Sequence, residues 1–365
     1  MSASDKGTQT LMVMAGGTGG HVYPAMAVAD YLQANGWNIV WLCTVGGMEN
    51  RLIASKNYQK AMITMHGVRG KGVLGWLLLP IKLNVALTQS YQAIAKHQPD
   101  LVLGMGGFAA FPGGLMASLL GKPLVIHEQN AVAGWTNKIL SYFAKKVVVA
   151  FPSAFTKELA SGKALLMGNP VRADIIQISL PEIRFAAHSG ALRLLIVGGS
   201  LGAQALNDVL PKALAALAIN NRPLIVHQAG EKHIATLQAN YQAAGVIAET
   251  QAFIIDMAAM YSWADIVICR AGALTIAELS AAGVASVLVP FPHAVDDHQT
   301  MNAHYLTSAG AAILIPQTEF TVTKMVALLL SLTRAECLHM ATKAHALGKS
   351  DATANVAHLC MELAA

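Results

Sequence analysis

Cysteine is scarce: Cys43, Cys269, Cys337 and Cys360 are the 4 in 365 residues, with no C-x-x-C pair among them. Such scattered positions suggest neither a zinc site nor a disulfide framework, and they suit a reducing cytoplasm. Charged residues make up 12% of the chain and aromatics 6%. The formal net charge is +5, yet the lysines and arginines are dispersed and have few aromatic neighbours, so no nucleic-acid platform is indicated. No apolar run reaches the ~20 residues that a spanning helix needs. The longest suspicious one, Val73 to Ile81, is broken by Gly75 and Pro80. The polar opening MSASDKGTQ runs straight into a strand and is read as carrying no secretory signal.

What the chain has in quantity is apolar residues, 54% of the total. They fall in short continuous runs, as strands buried on both faces of a parallel sheet require. The length suffices for two domains with separate cores. The clearest unit is Ile266 to Ala303. It contains a strand to Cys269, a turn Arg270-Ala271-Gly272, a helix from about Leu274 to Ala282 stopped by Gly283, and a second strand Ala285 to Val289. In such βαβ units ligands sit beyond the carboxyl ends of the strands, where helix N-termini present unpaired N–H groups. The turn after Cys269 is therefore an anion seat, with Arg270 adding charge and Thr275 a first-turn hydroxyl. Glu278, a turn further in, suits two vicinal sugar hydroxyls. A Gly turn before a helix with one Glu is also ordinary α/β architecture, so this stretch alone leaves nucleotide binding open.

Earlier in the chain, strand Thr10 to Ala15 runs into Gly16-Gly17-Thr18-Gly19-Gly20-His21, followed by a helix from about Pro24 to Ala34. The dinucleotide fingerprint fails here, because Val22 stands where a third Gly or Ala belongs and the next strand ends without an acid. No Gly-Lys-Ser/Thr closes the loop as in a Walker motif. A loop able to approach an anion or sugar remains, with His21 at its mouth. A second Gly loop, Gly104-Met105-Gly106-Gly107-Phe108, follows strand Asp100 to Leu103. Strand Leu124 to Ile126 ends in His127-Glu128-Gln129-Asn130, polar residues where sites gather, and Asn137 lies on the next helix. Between the two loops, Trp76, Leu77 and Leu78 adjoin Arg69, Lys71 and Lys82. They form either the buried face of a helix reaching Lys96 or a wedge for anionic headgroups.

From Leu165 to Ser189 the pattern loosens into what reads as an interdomain passage, with Arg172 able to reach a cleft. The opening layout then recurs as strand Leu192 to Val197, loop Gly198-Gly199-Ser200-Leu201-Gly202-Ala203 and helix Leu206 to Ala218. The repeat predicts two similarly wound parallel-sheet domains with their Gly loops facing one cleft. Ser350-Asp351 supplies an N-cap for the last helix.

Taken in order, GGTGGH, GMGGF, HEQN, NPVR, GGSLGA, CRAGALTIAE and PF-x5-DHQ resemble the MurG family of inverting glycosyltransferases over nearly the whole chain. The resemblance implies a GT-B fold of two Rossmann-like domains. Residues 1–170 would form an acceptor and membrane-facing domain and 171–349 a UDP-sugar donor domain, with 350–365 packing back on the first. It implies UDP-N-acetylglucosamine as donor and undecaprenyl-pyrophosphoryl-N-acetylmuramyl-pentapeptide as acceptor, no cofactor, and a peripheral place on the cytoplasmic face of the bacterial inner membrane.

Carried over by motif, Ser200 and the N-terminus at Ala273 to Thr275 bind the diphosphate, within a substrate-binding run Ala273-Leu274-Thr275-Ile276-Ala277-Glu278. Glu278 holds the ribose, Ile254 meets the uracil through its backbone, and Gln299 touches the donor sugar. Thr18, Gly19, Gly20, Asn130 and Arg172 complete the donor site, while Gly19-Gly20 and Gly106-Gly107 seat the acceptor diphosphate. His21 is the expected base, with Glu128 as its rival. No Asp-x-Asp supports a metal-bound diphosphate. Departures from the family pattern fall at Phe108, where Tyr is usual, and at His298, where a second Gln is common. Three alternatives stand beside this reading. Another GT-B enzyme or a UDP-sugar epimerase could share the donor half. A dinucleotide-dependent oxidoreductase lacks its third Gly and its acid. A membrane scaffold would leave two Gly loops without purpose.

Overall fold

The computed structural model describes residues 8–65, 79–107, 109–199 and 202–365. The chain divides into two compact units, Met1–Arg172 with Asp351–Ala365, and Ala173–Ser350. The first unit holds β1 (Thr10–Met14), β2 (Asn38–Thr44), β3 (Gln59–Ile63), β4 (Leu101–Gly104), β5 (Leu124–Glu128), β6 (Lys146–Val149) and β7 (Ala164–Leu166). They pair in the order β3-β2-β1-β4-β5-β6-β7, all parallel. The second unit holds β8 (Arg193–Val197), β9 (Leu224–Gln228), β10 (Glu249–Gln251), β11 (Ile266–Cys269), β12 (Ala285–Leu288) and β13 (Ala312–Leu314). Their order is β10-β9-β8-β11-β12-β13, again all parallel.

The apolar runs become strands covered on both faces, because successive side chains point to opposite sides of a sheet. In β1, Leu11 and Val13 enter one core with the Gly19–Ala34 and Ala352–Ala364 helices. Met12 and Met14 enter another, under the Leu79–His97 and Ala110–Leu119 helices. The last helix is tied to the first unit at both ends. Thr353 Oγ1 donates to Val171 O at 3.1 Å and Gln9 Nε2 to Ala364 O at 3.3 Å. In each sheet the strand order reverses beside the first strand, between β1 and β4 and between β8 and β11. Such switch points open a crevice beyond the carboxyl ends of the strands.

Local departures from expectation have identifiable causes. The first helix starts at Gly19, not Pro24, since His21 N and Val22 N already donate to Thr18 O. A short helix after β2 spans Glu49–Leu52. The Leu165 to Ser189 passage holds the end of β7 and two short helices, Ala173–Ile176 and Pro181–Ala186. Asp351 takes the N-cap position of the last helix but makes no side-chain cap; its Oδ2 accepts instead from Asn355 Nδ2 at 2.8 Å. No described helix is long and apolar enough to cross a membrane.

Candidate functional site

In the first unit three loops converge at the carboxyl edge of the sheet. Met105 N donates to Met14 O at 2.8 Å, bringing the Gly loop after β4 beside the one after β1. Gly107 lies so close to Gly16 that a Cβ on it would stand 2.4 Å from Gly16 O, and its φ of +89° excludes other residues as well. Gly106, at φ +94°, lies against the imidazole of His21; a Cβ there would be 3.0 Å from Cδ2 and 3.1 Å from Nε2. His21 Nδ1 is 3.1 Å from Gly16 O and 3.4 Å from Thr18 Oγ1. A carbonyl only accepts, so Nδ1 carries the proton and Nε2 is the basic nitrogen of the neutral ring. Gly19 and Gly20 form the first turn of the following helix, whose N-cap Thr18 makes no side-chain cap.

The HEQN segment acts differently from its expected role. The Glu128 carboxylate is buried and accepts four hydrogen bonds. Its Oε1 receives Asn130 N at 2.9 Å and Asn130 Nδ2 at 3.3 Å, and its Oε2 receives Gly134 N at 3.0 Å and Asn137 Nδ2 at 2.8 Å. A carboxylate so engaged holds the 129–134 loop in place. Asn137 is buried and also donates to His127 O at 3.2 Å, so it braces the loop. Asn130 is half-buried on the loop that Glu128 holds. His127 lies wholly buried with Nε2 donating to Gly168 O at 2.9 Å, and burial pulls its pKa down to about 4. Gln129 Nε2 donates to Met105 O at 2.7 Å, linking this loop to the second Gly loop. Arg172 stacks over the Tyr23 ring at 5.5 Å, which brings the NPVR segment to the helix that carries His21.

In the second unit the Ala273–Ala282 helix opens at Gly272, an extended N-cap with no side-chain cap. Helix geometry leaves the first-turn N–H groups of Ala273, Leu274 and Thr275 without intrahelical partners, which makes this end an anion seat. Ile276 turns the other way. Its side chain is wholly buried and its N–H donates to Gly272 O at 3.0 Å. Ala277 is half-buried. Glu278 is 6% exposed and Tyr261 OH donates to its Oε2 at 3.2 Å. The far end of this helix is held by Arg184, buried with its guanidinium donating to Ala282 O at 2.8 Å and Gly283 O at 2.5 Å. A cation at a helix C-terminus opposes the dipole favourably, although burial pulls its pKa down to about 10.

Arg270 does not serve as a spare charge beside that seat. Its Nη1 donates to Val289 O at 3.1 Å and Pro290 O at 3.2 Å, and its Nη2 to Gln317 Oε1 at 2.6 Å, with the group 5.5 Å from the Phe291 ring. It fastens the loop after β12. Gln299 works on the same loop, its Oε1 accepting from Phe291 N at 2.9 Å. The Ile254 N–H donates to Gln228 Oε1 at 2.9 Å, on a turn that exposes Phe253 and Ile255. Sequence reasoning passed over Gln228 and Tyr261. The signal for Gln228 was available, since His227-Gln228 is a polar pair at the end of an apolar strand, as in HEQN. Tyr261 carries none, being one tyrosine on a short helix. Ser200, Phe108 and the Trp76, Leu77 and Leu78 patch lie outside the described residues.

Two parallel-sheet α/β units, each with a Gly loop at its switch point, define the GT-B fold class. The family 28 C-terminal domain model matches residues 193–357 and the family 28 N-terminal domain model residues 11–149. The chain belongs to glycosyltransferase family 28. A Dechloromonas aromatica protein named UDP-N-acetylglucosamine–N-acetylmuramyl-(pentapeptide) pyrophosphoryl-undecaprenol N-acetylglucosamine transferase is 53% identical over 98% of this chain and 99% of its own. A Nitrosospira multiformis protein of the same name is 52% identical over the same shares. The crystal structure of Acinetobacter baumannii MurG aligns with a TM-score of 0.81 at 42% identity, covering 97% of this chain and 99% of that one. A Neisseria meningitidis UDP-GlcNAc 2-epimerase aligns with a TM-score of 0.66 at 11% identity over 97% of this chain and 100% of its own, a likeness of fold alone.

Proposed function

We propose that this protein transfers N-acetylglucosamine from its UDP donor to the 4-hydroxyl of N-acetylmuramyl-pentapeptide on undecaprenyl pyrophosphate, converting lipid I to lipid II in peptidoglycan synthesis. The observation that carries the reading is the match to relatives named for this reaction at 53% identity over 98% of the chain. It spans the loops of both units, so it bears on acceptor as well as donor.

The second unit takes the nucleotide. The uncapped first turn at Ala273 to Thr275 supplies dipole and N–H groups to the diphosphate, which leaves as charge develops on it. Glu278 receives the ribose hydroxyls, and the Ile254 turn the uracil edge. The first unit takes the acceptor. Gly19-Gly20 and Gly106-Gly107 approach its diphosphate closely, and His21 Nε2 removes the proton from the attacking 4-hydroxyl as the anomeric carbon inverts. The hydrogen bond from Nδ1–H to Gly16 O holds the ring in the tautomer this step requires. Asn130 and Arg172 belong to the donor contacts, and Gln299 to the donor sugar.

A lipid-linked acceptor calls for a surface that meets the bilayer, on the cytoplasmic face of the inner membrane. Among the described residues the first unit exposes Trp135 (71%), Tyr142 (81%), Ile139 and Phe143, with Lys138 over the Trp135 ring at 5.7 Å. Aromatic rings beside lysines suit an anionic interface, in company with the Trp76 to Leu78 run. The experiment that tests the reaction is transfer of labelled N-acetylglucosamine to a short-chain lipid I analogue, with Glu278→Ala as control. Robust transfer that collapses in the variant is the expected result. Nucleotide-sugar binding without transfer would refute the acceptor assignment.

A further inference from the structure

We infer that Gln228 is a positioning residue that holds the diphosphate loop and the base-reading turn of the second unit in register. The inference rests on the nucleotide reading of that unit given above, together with the role at the diphosphate that the family resemblance implies for the loop after β8. Gln228 is the last residue of β9 and is buried to 2% exposure. Both ends of its amide are used. Nε2 donates to Gly199 O at 3.0 Å, and Oε1 accepts from Ile254 N at 2.9 Å. Neither partner belongs to a helix or strand. Gly199 lies in the loop after β8, at φ +81°, and Ile254 in the turn after β10. Their backbone groups are ones that secondary structure leaves over, and a single side chain satisfies both.

The geometry has a consequence for the ligand. Uracil, ribose and diphosphate are covalently joined, so their seats must keep a set spacing. The loop after β8 and the turn after β10 follow different strands, with more than fifty residues between Gly199 and Ile254 along the chain. The Gln228 amide spans that gap directly. Prior fixation of the two seats removes an ordering penalty that binding would otherwise meet, and the benefit falls only to a ligand that occupies both. A role in folding alone would instead lower affinity for every ligand alike.

That difference supplies the test: dissociation constants of UDP and of uridine, and the UDP-N-acetylglucosamine KM and kcat, for wild type, Gln228→Met and Gln228→Glu. Methionine keeps the side chain's length and loses both hydrogen bonds; glutamate keeps an acceptor for Ile254 N–H and turns an oxygen toward Gly199 O. With two buried hydrogen bonds removed, UDP affinity falls by about tenfold or more in Gln228→Met while uridine affinity changes by less than about threefold. KM rises to match and kcat stays within about threefold. Equal losses for UDP and uridine, or no loss for either, would overturn the proposal. If Gln228→Met fails to fold, Gln228→Glu decides on the same criterion, a larger loss for UDP than for uridine supporting register and an equal one refuting it. Failure of the wild type to bind UDP at all would strike the nucleotide reading itself, a separate result.

Discussion

Adding one methyl group at Gly106 tests whether the two Gly loops of the first unit exist to present His21. Gly106→Ala places a Cβ 3.0 Å from His21 Cδ2 and 3.1 Å from Nε2, at a residue whose φ is +94°. An L-residue in that region costs about 1–2 kcal/mol before any clash is counted. For a domain of this size that lowers Tm by roughly 2–8 °C. The clash adds a directed effect. The ring must give by a few tenths of an ångström, and it is hinged at Nδ1 by the 3.1 Å bond to Gly16 O, so the displacement falls on the Nε2 edge. Misplacing a reacting group by 1 Å lowers rates by as much as about a hundredfold, so a shift of a few tenths should lower kcat roughly 3- to 10-fold. The donor KM should hold within about twofold, because the nucleotide seat belongs to the other unit. Steady-state transfer to a lipid I analogue, beside a thermal melt, measures all three quantities. A folded Gly106→Ala variant with kcat within about threefold of wild type would refute the placement of His21 at the reacting hydroxyl.

Glu278→Gln, which keeps the shape but loses the charge, should weaken UDP by about 10- to 100-fold and 2′,3′-dideoxy-UDP by far less; equal losses would remove Glu278 from the ribose. His127 and His227 are buried neutral, with pKa values pulled by desolvation from 6.5 to about 4 and about 3. Both fold best unprotonated, so their contribution is complete above pH 6.5 and declines as the pH falls towards 4, where the unfolded chain binds the protons. Urea midpoints across that range should drop with acid, and His227→Gln should flatten the slope; an unchanged slope would show that its burial does not govern acid stability. Replacing Trp135 and Tyr142 with Ser should reduce sedimentation with anionic vesicles while leaving transfer to a water-soluble acceptor analogue intact, and undiminished sedimentation would send the membrane surface elsewhere.

The sequence by itself determined the two-sheet parallel α/β plan and the family. Parallel strands inside a sheet are covered on both faces, so the inner ones, from LMVM in β1 to ASVL in β12, read as short apolar runs without help from the rest of the chain, while the edge strands β3 (QKAMI) and β10 (ETQ) do not. The glycine loops are equally local signals, set at strand ends where backbone must bend sharply. The tertiary structure decided what the polar residues beside those loops do. Glu128, Asn137 and Arg270 look alike in sequence, as polar side chains next to a candidate site. Packing turns the first two into braces for the 129–134 loop and the third into a clamp on the loop after β12. Ile276, inside a motif that otherwise reads as a binding run, faces the core. The converse holds for Gln228, whose partners lie 29 and 26 residues away along the chain. A hydrogen bond is satisfied by whatever group folding brings within about 3 Å, and that neighbour is a property of how strands and helices pack, not of the residues adjacent in the chain.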